Sequence, residues 1–252
     1  MSDFKERVKM TVDVVGIPIQ NVTMEEAVHD VSAFLKTKDQ KVVVTPNAEI
    51  LQLCVEDEGV HAIIRSADYI IPDGIGVVKG AKMLGTPLNQ KVAGCDLAWN
   101  ILSEMERTGK RLFLLGAKPG VAAAAAEKMK EAHPNLVVCG VQDGYFKEDD
   151  PVIEAINAAD TDVLFVCLGV PKQEQWMMSH KARLNVSVMM GLGGSLDVFA
   201  GNVKRAPKIF IKLGLEWLYR LIKEPWRAKR MMKLPKFFFS VMKYKKQRRT
   251  AK

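Results

Sequence analysis

Five short runs of valine, leucine and methionine constrain the fold of this chain more than any other feature. Each run is bounded by turn residues and lacks the polar alternation of a strand that has one face in water. Continuous apolar runs of this length are typical of strands buried on both faces of a parallel sheet. The runs are KVVVTPN (41–47), RLFLLGAKPG (111–120), NLVVCG (135–140), DVLFVCLGVPKQ (162–173) and VSVMMGLGGS (186–195).

Helical segments separate several of these runs. The clearest are MEEAVHDVSAFLK (24–36), GVAAAAAEKMKEA (120–132) and PVIEAINAA (151–159). Five consecutive alanines strongly favour a helix. Strands that alternate with helices predict an α/β fold, a Rossmann-like parallel sheet flanked by helices. With 252 residues, 48% of them hydrophobic, the chain is long enough to bury one large core.

Four of the apolar runs end in loops rich in glycine, proline or asparagine, namely TPN, GAKPG, GVPKQ and GLGGS. The carboxyl ends of parallel strands share one edge, and open α/β sheets bind their ligands there. Glycine lets a backbone N–H approach a phosphate, and the helix after Gly120 adds a favourable dipole. None of the loops is GxGxxG or a P-loop, which argues against a Rossmann dehydrogenase. The pattern predicts a site for a nucleoside diphosphate.

The segment YIIPDGIG (69–76) places one carboxylate, Asp73, between two apolar stretches. Proline fixes φ, aspartate bonds its own downstream backbone and glycine takes positive φ, so this corner is ordinary turn chemistry. The residues of the corner alone therefore indicate a structural turn. A functional acid at this position is the alternative.

Charge is distributed unevenly along the chain. Of its 37 Lys and Arg, 17 lie in residues 203–252 with only 2 of the 29 acidic residues, so this segment carries +15 and the remainder −7. Its polar residues recur at spacings of three and four, which predicts an amphipathic helix that bends near Pro225. A second aromatic and basic segment follows, KFFFSVMKYKKQRR (236–249). A segment of this composition can bind an anionic lipid surface or a nucleic acid. Alternatively, it forms a helix that packs on the rest of the protein. Its interleaved aromatics and apolar stripe favour lipid, and no nucleic-acid partner is expected.

Other patterns limit the chemistry further. The four cysteines are far apart and no histidines cluster, so neither a disulfide framework nor a zinc site is indicated. The adjacent acids Asp149 and Asp150 are interpreted as a helix N-cap rather than a metal clamp, and we expect no metal or other cofactor. The N-terminus lacks the apolar core of a signal peptide, and no window approaches the ~20 apolar residues of a spanning helix. A cytoplasmic protein is expected.

Seven motifs, in order, resemble the WecG/TagA/CpsF family of bacterial glycosyltransferases, and are most similar to its TagA branch of wall teichoic acid enzymes. The resemblance extends over residues 12–233. The motifs are TPNAEI (45–50), IPDGIGVV (71–78), LFLLGAKPGV (112–121), DGYF (143–146), LGVPKQEQWM (168–177), GLGGSLDVFAG (191–201) and EWLYRLIKEPWRAKR (216–230).

The resemblance implies a metal-independent, inverting transfer of N-acetylmannosamine from UDP to the 4-hydroxyl of N-acetylglucosamine on undecaprenyl diphosphate, with a β1,4 link. Within the family, glucose or N-acetylmannosaminuronic acid donors remain alternatives. A protein that binds a sugar nucleotide without catalysing a reaction is a further alternative. Such a protein would keep the glycine-rich loops but would not need a general base at Asp73.

The resemblance also implies roles for individual residues. Asp73 is the expected base. Thr45, Asn47 and Gln175 are expected to contact the sugar or diphosphate, although an Asx turn around Pro46 and plain helix surface are the structural alternatives. Backbone amides around Gly116, Gly193, Gly194 and Ser195 are expected to bind the uridine diphosphate. Arg220, Arg227 and Arg230 are expected to neutralise a diphosphate, since guanidinium binds phosphate in a two-pronged geometry.

Two parts of the chain are therefore expected to differ in role. Residues 1–202 are predicted to form the α/β catalytic domain. Residues 203–252 are predicted to form an appendage that docks on the inner face of the cell membrane and completes the active site. Apolar residues exposed on an undocked appendage would also favour a homo-oligomer in solution.

Overall fold

The computed structural model describes residues 10–37, 39–204, 206–207, 209–210, 215–223, 225 and 231–250. In this part of the chain the strands are β1 (Thr11–Val14), β2 (Ile17–Gln20), β3 (Lys41–Val44), β4 (Tyr69–Ile70), β5 (Arg111–Gly116), β6 (Val137–Gln142), β7 (Val163–Cys167) and β8 (Val188–Gly191). The helices are α1 (Met24–Phe34), α2 (Ala48–Glu56), α3 (Glu58–Arg65), α4 (Ile75–Leu84), α5 (Gly94–Thr108), α6 (Val121–Ala132), α7 (Asp150–Ala158), α8 (Lys172–His180), α9 (Ser195–Phe199), α10 (Glu216–Lys223) and α11 (Lys233–Thr250). A short 3-10 helix, Lys181–Arg183, follows α8.

Six strands form one sheet in the order β4-β3-β8-β7-β5-β6, and every neighbouring pair is parallel. Strands β1 and β2 form a separate antiparallel hairpin. All five apolar runs of the sequence lie in sheet strands, and the three predicted helices are α1, α6 and α7. The predicted Rossmann-like α/β fold is confirmed.

Burial on both faces explains why the strands are continuously apolar. In β3, Val42 and Val44 point into one hydrophobic cluster and Val43 points into the other. The same alternation holds along β5, β7 and β8. Helices α2, α3, α4, α7 and α8 cover the first face, and α1, α5 and α6 cover the second. Because successive side chains point to opposite faces, the strands covered on both sides carry polar residues only at their ends, whereas the edge strand β6 is partly exposed.

The C-terminal helix α11 packs on the first face, against α2 and α4. Its Phe237 and Val241 have no exposed surface. A side chain on Gly80 would place its Cβ 2.9 Å from the Phe237 ring, so glycine permits this close approach. Hydrogen bonds also fix the helix, from Tyr244 Oη to Asp13 Oδ1 at 3.0 Å and from Ser240 Oγ to Gln52 Oε1 at 2.9 Å.

The opposite side of α11 is exposed, with Phe239 at 68% and Met242 at 48% of their full accessible surface. One side of the aromatic and basic segment 236–249 therefore contacts the body and the other is open. The division of the chain at residue 203 and the membrane-docking role stay predictions. None of the helices in the described ranges is long and apolar enough to cross a membrane.

We expect Phe237→Ala to lower the free energy of unfolding by about 3–5 kcal/mol, the usual cost of truncating a fully buried phenylalanine. Urea denaturation measures this change, and faster trypsin cleavage at the basic residues of α11 would report its undocking. Phe239→Ala is the matched control, because it deletes the same atoms from an exposed ring. Equal losses in the two variants would contradict the packing described for α11.

Candidate active site

The loops that follow β3, β4, β8, β7 and β5 lie along one edge, because these strands are parallel neighbours. The four loops singled out in the sequence are among them, and the Pro-Asp-Gly corner after β4 is the fifth. The chain leaves β5 towards β6 through α6 on one face, and leaves β7 towards β8 through α8 on the other. The switch point between β5 and β7 is where sheets of this kind open a crevice for a ligand.

Asp73 stands at the end of β4, half-buried, at the start of the turn into α4. Its backbone N–H donates to the Pro46 carbonyl at 3.2 Å, and the preceding Pro72 carbonyl accepts from Val92 N at 2.9 Å. Gly74 follows with φ +87° and is the N-cap of α4, which begins at Ile75. The corner is thus tied on both sides, and it places a carboxylate beside the loop that follows β3.

Thr45 and Asn47, in the loop after β3, both make hydrogen bonds within the protein. Thr45 is 9% exposed, and its hydroxyl donates to the Gly191 carbonyl at 3.2 Å. Asn47 Oδ1 accepts from Ile50 N at 3.0 Å and caps α2. This bond reaches three residues along the chain, so it is a helix cap rather than the Asx turn considered from the sequence. Thr45 joins the ends of β3 and β8, and its contact with a sugar stays a prediction.

The glycine loop after β8 is held by side chains from inside the protein. The N–H of Gly193 donates to Gln173 Oε1 at 2.9 Å, and the Ser195 hydroxyl donates to the Leu192 carbonyl at 2.7 Å. A Cβ on Gly194 would have no atom within 4 Å, so this residue borders open space. The Gly193 N–H and the Ser195 hydroxyl therefore make hydrogen bonds that hold the loop in place. Gly194 lies on the side of the loop that faces open space.

Gly116 ends β5 next to the crevice. Its φ is +125°, and a Cβ there would overlap the Cys167 carbonyl at the end of β7. Ala117 N donates to that carbonyl at 3.1 Å, and Gly144 N donates to the Ala117 carbonyl at 2.9 Å. Gly116 therefore lets the two strand ends meet. The loop after β6 is fastened to the same point and leaves Tyr145 exposed at the rim.

Gln175, the glutamine expected to contact substrate, is exposed on α8. Its two predecessors, which the sequence analysis did not select, are buried at 2% exposure each. Gln173 Nε2 donates to Glu174 Oε1 at 2.7 Å. The sequence did contain an indication that Gln173 is buried. Trp176 and Met177 follow it by three and four residues, so all three side chains lie on the same, apolar side of the helix. The role predicted for Gln175 stays a prediction.

Glu174 is an unusual buried acid. Burial raises its pKa to about 7, and the hydrogen bond from Gln173 opposes that rise. Its Oε2 is buried and finds no hydrogen-bond partner among the described residues. The neighbouring Cys54 thiol stays neutral, because burial and then the charge of Glu174 raise its pKa to about 12. An ionised Glu174 therefore has little around it to offset the loss of water.

The predicted arginines lie in the C-terminal region. Arg220 falls within α10, which a Lys91–Glu216 ion pair of 3.2 Å ties to the body. Arg227 and Arg230 lie outside the described residues. Within the described ranges, no three His, Cys, Asp or Glu side chains come together to hold a metal ion. Metal independence stays a prediction, which a chelator tests.

The raised pKa of Glu174 predicts how stability depends on pH. The folded state holds the proton up to about pH 7, whereas the unfolded chain releases it near 4.5. Stability from this group is therefore fully present below pH 4.5 and is lost as the pH rises through 7, by about 3 kcal/mol at 1.36 kcal/mol per pKa unit. We expect Glu174→Gln to remove this loss, so the variant gains stability over wild type at pH 8 relative to pH 4.5. Urea denaturation at both pH values measures the gain, and an unchanged difference would contradict it.

Comparison with known proteins places the chain in a family. Residues 12–251 match the profile of the glycosyl transferase WecG/TagA/CpsF family. The chain is 39% identical over 218 residues to a Bacillus spizizenii protein, and this alignment covers 86% of this chain and 85% of the relative. It is 40% identical over 215 residues to a Bacillus subtilis protein, covering 84% of each. It is 36% identical over 244 residues to a Staphylococcus aureus protein, covering 96% of each.

All three relatives carry the name N-acetylglucosaminyldiphosphoundecaprenol N-acetyl-beta-D-mannosaminyltransferase. The resemblance stated from seven motifs is confirmed. Because the profile covers residues 12–251 and the relatives match along most of their own length, the chain belongs to the glycosyl transferase WecG/TagA/CpsF family and is an enzyme.

Proposed function

We propose that this enzyme transfers N-acetylmannosamine from UDP to the 4-hydroxyl of N-acetylglucosamine carried on undecaprenyl diphosphate. The transfer inverts the anomeric carbon, forms a β1,4 link and contributes to the linkage unit of wall teichoic acid. The observation that carries this proposal is the match, over 96% of both chains, to a relative that bears this transferase name. The residue roles given below are part of the same proposal.

The donor is assigned along the carboxyl edge of the sheet. The uridine lies at the crevice between β5 and β7, and the sugar lies near the ends of β3 and β4, where Asn47 and Asp73 stand. At about 4.8 Å between neighbouring strands, these two points are three strand spacings, or about 14 Å, apart. The glycine loop after β8 lies between them, and the diphosphate is assigned to its open side at Gly194.

The chemical step is a single displacement. Asp73 takes the proton of the acceptor 4-hydroxyl as that oxygen forms a bond to the anomeric carbon. The bond from this carbon to the UDP oxygen breaks, and its electron pair leaves on the diphosphate. Arg220, Arg227 and Arg230 neutralise the charge that develops there. This positive charge performs the task of a divalent metal, so the reaction proceeds without one.

The acceptor explains the proposed role of residues 203–252. A lipid-linked sugar diphosphate stays at the membrane surface, and the +15 segment brings the enzyme to the anionic inner leaflet. Lys236 and Lys243 flank the exposed Phe239 and Met242 on the open side of α11, which suits an interfacial helix. The segment then completes the active site there with its arginines.

We expect Asp73→Asn to lower the rate of UDP release by about 10²–10⁴-fold, the range of a positioned general base. The assay contains UDP-N-acetylmannosamine, lipid-diphosphate-linked N-acetylglucosamine and EDTA. The amide keeps the size and the turn, so the fold should survive. Asp160→Asn is the matched control, because Asp160 is exposed in the turn before β7, at the other end of the sheet. Similar rates for wild type and Asp73→Asn would refute the assignment of the base.

A further inference from the structure

The Gly191 to Ser195 loop depends on two buried side chains that approach it from opposite sides. Thr45 Oγ1 donates to the carbonyl of Gly191, and Gln173 Oε1 accepts from the N–H of Gly193. An ideal Cβ on Gly191 would lie 3.0 Å from Gln173 Nε2, so the amide of Gln173 packs directly against the loop backbone. The orientation of this one amide group therefore helps to set the path of the loop.

An amide group can present either end to its neighbour. If Gln173 turned its amide over, Nε2 would face the Gly193 N–H, and two donors would oppose each other. Once Glu174 is ionised, above its raised pKa of about 7, it prevents this reversal, because a carboxylate has only acceptors and requires the Nε2 end of Gln173. The bond that fixes this choice is charge-assisted and 2.7 Å long.

Keeping a carboxylate here opposes stability. Glu174 is 2% exposed, and its second oxygen lacks a partner among the described residues. A buried acceptor without a partner destabilises the fold, and a neutral side chain of the same shape would avoid the charge. Groups that break the rules of stable packing in this way concentrate at functional sites. Neither Glu174 nor Gln173 takes part in the proposed displacement.

We propose that Glu174 is a positioning residue for donor binding, which acts through Gln173 to hold the Gly193 amide and the glycine loop in the shape that receives the diphosphate. This inference rests on the proposed function, since it assigns the diphosphate to that loop. Glu174 lies behind the loop and touches no substrate. Its loss should weaken donor binding and leave the displacement step itself unaltered.

The test compares Glu174→Gln with the exchanged pair Gln173→Glu/Glu174→Gln. A glutamine at 174 accepts or donates, so it no longer dictates the orientation of Gln173. In the exchanged pair, the carboxylate at 173 accepts from both Gly193 N–H and the new amide at 174, which restores the pattern of donors and acceptors. Glu131→Gln is the control, because it removes one charge from an exposed ion pair with Lys128 on α6.

At pH 8, where Glu174 is ionised, we expect Glu174→Gln to raise the Kd for UDP and the KM for the donor by about 3- to 10-fold, the range for one lost hydrogen bond, with kcat unchanged. Hydrogen exchange at the Gly193 amide should become faster. The exchanged pair should return the Kd for UDP and the KM for the donor to within about threefold of wild type. Glu131→Gln should match wild type in both constants. A loss of donor binding in a variant whose fold is not weakened at pH 8 is a result that a purely structural role does not produce.

Two results would overturn the inference, and they are distinguishable. If wild type binds UDP and Glu174→Gln binds it equally well, or if the exchanged pair is no better than the single variant, the positioning role is wrong and the proposed function stands. If wild type itself binds no UDP in calorimetry, the proposed function fails and the assignment of the loop to a diphosphate fails with it.

Discussion

Burial of the sheet on both faces is the constraint on which the rest of the structure depends. It makes the strands continuously apolar and leaves the polar chemistry of the enzyme to the loops at the strand ends. Because the six strands are parallel, these loops share one edge, and Asp73, Asn47 and the glycine loop come together although up to 147 positions separate Asn47 from Gly194 in the sequence. The same arrangement places the switch point between β5 and β7 on the same edge.

The sequence predicted the long, strongly patterned elements and failed where a choice depended on packing. Strand β4 has two residues, Tyr69 and Ile70, which is too short for a periodic pattern. Asn47 was expected to contact substrate, with an Asx turn as the structural alternative, and its side chain instead caps α2 by accepting from Ile50 N, a bond that depends on where the helix begins. Phe237 and Phe239 are alike in sequence, yet only their position around α11 decides that the first is buried and the second exposed.

The candidate site could be predicted in outline from its motifs, whereas the support behind it could not. The Pro-Asp-Gly corner and the glycine loops carry local turn chemistry that a sequence displays directly. Gln173 bonds Gly193, twenty residues away in the chain, and this contact exists only once α8 lies on the sheet, while Glu174 bonds Gln173 from behind. The two glutamines of this motif are two residues apart and lie on different sides of α8, Gln173 buried and Gln175 exposed, and the motif alone does not distinguish them.

The identity of the reaction is tested most directly by its product. Purified wild-type enzyme would be incubated with UDP-N-acetylmannosamine and lipid-diphosphate-linked N-acetylglucosamine in the presence of EDTA, and the product analysed by mass spectrometry and NMR. The account predicts one added N-acetylmannosamine, β-linked to the 4-oxygen of N-acetylglucosamine. No transfer, transfer that requires a divalent metal, or an α-linked product would contradict it.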